Sequence, residues 1–276
     1  MAWLGTVAPG IQAAEDSQIR SGWNTAMGPM STAYDAARRI FLGAAKDEEE
    51  NLALTQDKAL RMPGTSKTRA TLPKGTTLGS PESLDVRSEG KQFKLLLWEG
   101  TRPDGGEDGG FGESVAVLAV FPEGSIEPID VAEIKQDRDT ALGKRINLGD
   151  DDAFTVLNAH HNSNQGYAIT DLFHLREGRL RHIANLFTLS SNCCCGESFK
   201  EELHWRVEPD GTNLPRIVAT IELTQAPKEF TEGCDRKPKP QVESFKNVYR
   251  WDAMKQRYLH EGGNSSRLDK WNQQRL

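Results

Sequence analysis

The 276 residues carry 34 Lys and Arg against 40 Asp and Glu, a net charge of −6, with 37% hydrophobic residues and a mean hydropathy of −0.60. That length admits one large or two ordinary domains. No stretch approaches the roughly 18 apolar residues of a membrane-spanning helix, and the negative balance disfavours non-specific nucleic-acid binding. The expected partner is therefore an unknown protein or a small-molecule ligand, with no nucleic acid and no integral membrane span.

Residues 1–14, MAWLGTVAPGIQAA, are uncharged and end in Ala13-Ala14. They resemble the apolar region and cleavage zone of a secretory signal peptide without its positively charged start. The reading expects a signal-peptide remnant here and a periplasmic or secreted protein. Residues 15–62 form the next segment, and from residue 31 it reads as helical. Tyr34, Ala37, Ile40, Phe41, Ala44 and Ala45 recur at helical spacing, Thr32 and Asp35 suit a capping box, and Pro63-Gly64 ends the run. Gly43 is a point of division within it. Residues 63–83, rich in Gly, Pro, Ser and Thr, read as a linker.

From 84 to 262 the pattern is one of short strands and tight turns, which forces antiparallel neighbours. The expected fold is mainly β, an antiparallel meander forming a barrel, a sandwich or a partial propeller, behind a short helical N-terminal segment. Residues 263–276 read as a flexible tail. Trp98, Trp205 and Trp251 fall inside predicted strands and read as core.

The sharpest local prediction is a hairpin turning at Glu177-Gly178. It places Phe173 opposite His182, His174 opposite Arg181 and Leu175 opposite Leu180. One face then carries Ile169, Asp171, Phe173, Leu175, Leu180, His182, Ala184 and Leu186, and reads as the core side. The other carries Leu172, His174, Arg176, Arg179, Arg181, Ile183 and Asn185. Asp171 and His182 become diagonal neighbours. A carboxylate beside an imidazole can orient it as a general base, although a satisfied polar pair at a core edge has the same sequence. Arg176, Arg179 and Arg181 form a candidate anion-binding cluster, since guanidinium groups fork onto phosphate or carboxylate. The competing reading is a solvated hairpin face.

No metal site is expected. His160 and His161 alternate faces, and His160 lies on the order of 20 Å along the sheet from the level of His182. The acidic stretches at 104–110 and 149–152 offer hard oxygen ligands but lack EF-hand spacing, so they read as solvated loops. No nucleophile elbow, phosphate-binding loop, zinc-protease helix motif or dinucleotide fingerprint occurs, and no cofactor is expected.

Cys193, Cys194 and Cys195 are consecutive, and Cys234 is the only other cysteine. The run lacks the two-to-four-residue spacing of a zinc knuckle. Both positions lie at the open end of a hairpin turning near Gly211, so a disulfide between Cys195 and Cys234 is expected, in an oxidising compartment. The functional expectation is an exported, non-catalytic protein with a binding or envelope-support role. The alternatives are a hydrolase or lyase using Asp171 and His182, or a divalent-metal-binding protein.

Overall fold

A computed structural model describes residues 33–47, 51–63, 69–103, 113–134, 139–161, 165–191, 197–227 and 241–275. The chain is mainly β, in two sheets. The first is built from β1 (Ala45–Lys46), β2 (Leu52–Ala53), β3 (Lys58–Arg61), β4 (Arg69–Leu72), β5 (Thr77–Leu78), β6 (Glu82–Ser88), β7 (Lys91–Thr101), β8 (Ser114–Pro122) and β9 (Asp130–Ile134). Its order is β1-β2-β5-β7-β8-β9-β3-β4, with β6 also paired to β7. The second sheet runs in chain order as an antiparallel meander. Its strands are β10 (Asp139–Asn147), β11 (Asp152–His161), β12 (Gln165–Arg176), β13 (Arg179–Ser191), β14 (Glu197–Glu208), β15 (Arg216–Pro227), β16 (Gln241–Asp252) and β17 (Arg257–Gly263). Among the described residues β10 and β17 end this path without pairing to each other, so the meander does not close into a barrel.

Strand β8 shows how two cores come from one strand. Val115, Val117, Ala119 and Phe121 pack on one face with α1 (Ala33–Ile40), whereas Ala116, Leu118 and Val120 pack on the other. Side chains alternate along a strand, so a strand covered on both faces reads as an unbroken apolar run. The second of these cores joins the sheets. Leu95, Leu97, Leu118 and Ile134 from the first meet Phe154, Val156, Phe173 and Leu175 from the second. A third core lies within the second sheet, where Leu172, Ala184 and Leu186 pack with Ile217, Tyr249, Trp251 and Tyr258.

The N-terminal expectation needs correction. Among the described residues helix α1 covers Ala33–Ile40, and the short strands β1, β2 and β3 fall in the rest of the predicted helical run. Gly43 takes a φ of 76°, which breaks the helix where the sequence is weakest. Beyond it Leu52 and Leu54 are buried at strand spacing, two residues apart. The expected linker at 63–83 likewise contributes β4, β5 and the start of β6. Strand β5 sits against β7 so closely that a Cβ on Gly100 would lie 2.0 Å from the Thr77 carbonyl oxygen, which only glycine permits.

The expected tail is also ordered in large part, as α2 (Ser266–Arg275). Leu268 is fully buried with Ile221 and Phe245, and Asn272 donates to Glu201 Oε2 at 2.9 Å. Trp98 and Trp251 are core residues as expected, whereas Trp205 is half-buried against the third core. The four cysteines and the proposed Cys195–Cys234 pairing, residues 1–32 and the acidic stretch 104–112 lie outside the described residues.

Candidate functional site

The predicted hairpin is present, with Phe173 opposite His182, His174 opposite Arg181 and Leu175 opposite Leu180. One residue beyond Phe173 the register changes. Leu172 pairs with Ala184 and Asp171 with Asn185, so Ile183 is an extra residue on β13, a β-bulge. The bulge corrects the predicted faces. Ala184 and Leu186 turn to the third core with Leu172, and Asn185 turns to the Asp171 side.

This register surrounds one carboxylate with two donors. Asp171 Oδ1 accepts from His182 Nε2 at 2.7 Å and from Asn185 Nδ2 at 3.0 Å. An ionised carboxylate only accepts, so in the neutral imidazole the proton sits on Nε2. The Phe173 ring meets the His182 ring edge-on at 5.3 Å. The Asp171 side chain is 10% exposed and that of His182 is 27% exposed.

These residues wall a cleft of about 220 Å³ between the two sheets, lined from β12 and β13 on one side and from β9 and the end of β3 on the other. Asp171, Phe173, His182 and Asn185 come from the second sheet; Met62, Pro63, Glu133 and Ile134 come from the end of β3 and from β9. Sequence reasoning missed the contributions of the first sheet, because β3 and β9 meet only through a single parallel pair, Arg61 with Ala132. Glu133 borders the cleft, but it pairs with Val117 and shares that residue's face. Its Oε1 accepts from Arg102 Nη2 at 2.7 Å. Burial raises its pKa, and Arg102 opposes the rise.

The arginines have separate environments. Arg176 Nη1 lies 3.2 Å from Asp151 and Nη2 3.5 Å from Glu89, with the guanidinium 5.8 Å from the Trp251 ring centre. Arg181 pairs with Glu177 at 3.4 Å, and Arg179 is exposed. Two of the three predicted anion-binding arginines thus already face carboxylates of the chain. His160 stacks on Tyr167 at 5.1 Å, its partner in the register.

The acidic stretch at 149–152 is not solvated throughout. Asp152 is fully buried and accepts from the Arg87 amide at 2.8 Å and from the same guanidinium at 3.3 and 3.4 Å. Asp151 is 2% exposed and takes the Glu89 amide on Oδ1. His174 Nε2 stands 3.4 Å from Asp151 Oδ2. Burial would push the Asp151 carboxyl up, but His174, the Glu89 amide and Arg176 together hold it below its ordinary value. His174 is 1% exposed, edge-on to the rings of Trp251 and Tyr258 at 5.6 and 5.7 Å. This buried network ties the β6–β7 turn to the second sheet. Among the described residues no group of three or more His, Cys, Asp or Glu is placed to hold a metal ion.

No protein-family model matches the chain, and no curated protein matches it.

Proposed function

We propose that the chain is a non-catalytic binding protein that holds a small molecule in the cleft between the sheets. The observation that carries this reading is the Asp171–His182–Asn185 cluster, ordered by its own hydrogen bonds on the wall of a cleft whose other lining residues are Met62, Pro63, Ile134, Phe173 and Glu133. A mostly apolar concavity with a few convergent polar groups is the usual form of a small-molecule site. No hydroxyl or thiol is among the described lining residues. Export to an oxidising compartment belongs to the same proposal, and the sequence support for it is the cysteine arrangement and the apolar stretch 1–14.

A fragment screen read by the imidazole NMR signals of His182 tests the binding role. The expected result is saturable movement of those signals, abolished in a folded Asn185→Trp variant whose indole fills the cleft rim. Fragments that bind elsewhere while His182 stays still would remove the reading.

A second reading rests on one distance. The 2.7 Å contact fixes the His182 tautomer and leaves Nδ1 without a protein partner among the described residues, the arrangement of an oriented general base. With no hydroxyl or thiol among the described lining residues, this reading takes water as the nucleophile in a hydrolytic version. Loss of a detected hydrolase or lyase activity in His182→Ala, with folding intact, is the result this reading requires.

A further inference from the structure

We infer that the ligand of this cleft is an organic cation, a protonated amine or a similar N–H donor on a short apolar body, with Asp171 Oδ2 as its anchor. The inference rests on the binding role proposed above and names the chemistry of what is bound.

The argument is one of hydrogen-bond valence. Both donors that reach Asp171 use the same oxygen, Oδ1. Asp171 has no other protein partner among the described residues, so Oδ2 is unfilled on a side chain nine-tenths buried at the cleft wall. The same two bonds orient the neighbours. Asn185 spends an amide N–H on Asp171, and His182 spends Nε2–H. In each case an acceptor remains: the Asn185 carbonyl oxygen, and Nδ1 of the neutral imidazole. Asp171, Asn185 and His182 thus offer the cleft a carboxylate oxygen, a carbonyl oxygen and a lone-pair nitrogen.

A site whose free atoms are acceptors selects a donor-rich ligand, because an acceptor placed there leaves buried polar atoms unpaired. The carboxylate adds charge selection, since a hydrogen bond between two ionised groups is about twice as strong as a neutral one. An anionic ligand meets like charge at Asp171. Met62, Pro63, Ile134 and Phe173 add apolar surface to the wall, which suits a hydrocarbon body, and Glu133 at its border adds a second carboxylate that favours a cation over an anion.

Three probes of one shape provide the test: benzylammonium, benzyl alcohol and phenylacetate, each titrated at neutral pH with His182 imidazole signals as the readout. Benzylammonium is expected to bind about tenfold tighter than the alcohol, with phenylacetate weakest. Asp171→Asn is expected to erase the difference between cation and alcohol while leaving the alcohol bound. The selectivity among probes is measured on the unmodified chain, so it stands even where the variant folds poorly. Alcohol or phenylacetate binding as tightly as the cation overturns the inference and leaves the binding role intact. Failure of all three to move His182 overturns the inference as well, and the fragment screen then decides the binding role separately. Calcium or zinc binding at His182 more tightly than benzylammonium would replace the organic cation with a metal.

Discussion

Two aspartate–histidine contacts, Asp151–His174 and Asp171–His182, stand among the described residues, and they differ in how their oxygens are used. At the sheet junction Asp151 divides its oxygens among the Glu89 amide, Arg176 and His174, and the neighbouring Asp152 is filled by three donors of Arg87. At the cleft Asp171 takes both protein donors on one oxygen. His174 is sealed between Trp251 and Tyr258, whereas His182 reaches solvent. The same two residue types therefore make a filled joint in one place and a partly filled cleft wall in the other. Proximity of a carboxylate and an imidazole does not by itself distinguish a joint from a site; the acceptor left unfilled beside open space at Asp171 is what the proposed binding role rests on.

That contrast sets the largest expected effect at Asp151. Asp151→Asn removes a buried charge that faces Arg176 and His174, and breaking a buried pair from one side costs about 3 kcal/mol. The loss should appear in urea unfolding at neutral pH as a lower midpoint with an unchanged slope. It should also depend on pH, with a definite sign. The Asp151 carboxyl is held below its ordinary value of 3.8. Its contribution is therefore present above that value and disappears as the pH falls through the lower folded-state value. The gap between parent and variant should narrow in strong acid. A gap that stays constant down through the acid range would mean that the carboxylate charge plays no part in the joint.

Much of this architecture is legible in the sequence because strand patterning survives translation into burial. The Val115–Phe121 run and the Glu177-Gly178 turn announce strands without any knowledge of the fold. The hairpin register holds through Phe173 and His182, since a tight turn determines the pairing beside it. It fails at Ile183 because a bulge depends on what packs against both faces, and the sequence shows nothing of the third core that draws Ala184 and Leu186 inward. Counting from the turn brings Asp171 and His182 together but puts Asn185 on the opposite face, where the bulge does not leave it. The acidic residues 150–152 looked like a solvated loop because their donors, Arg87 and Glu89, lie more than sixty residues earlier. Helical spacing at Ala33–Ile40 extended too far for a related reason. Short strands such as β1 and β2 carry little pattern of their own and exist through their partners.

The next effect in size belongs to the cleft. Asp171→Asn keeps the shape but removes the charge that holds His182 Nε2–H, and the expected cost is about 1 kcal/mol, the usual net worth of a hydrogen bond. The more informative readout is the imidazole itself. Nitrogen NMR of the neutral ring should show Nε2–H in the parent and a mixture of tautomers in the variant. A parent ring already mixed would contradict the carboxylate's orienting role and, with it, the acceptor character assigned to Nδ1.

The smallest effect is expected at the arginines once read as an anion site. Arg181 pairs with Glu177 at 3.4 Å between side chains 38% and 59% exposed, a geometry in which an ion pair is worth well under about 1 kcal/mol. Arg181→Ala should shift the urea midpoint only marginally and leave the titration of His182 by benzylammonium unchanged. Arg176 is different in kind, because its guanidinium belongs to the Asp151 joint and packs near Trp251. If all three arginines held a common anion, inorganic phosphate would stabilise the parent and lose that effect in Arg181→Ala as fully as in Arg179→Ala. If Arg176 serves the joint, phosphate leaves the midpoint where it was, and only Arg176→Ala weakens the fold.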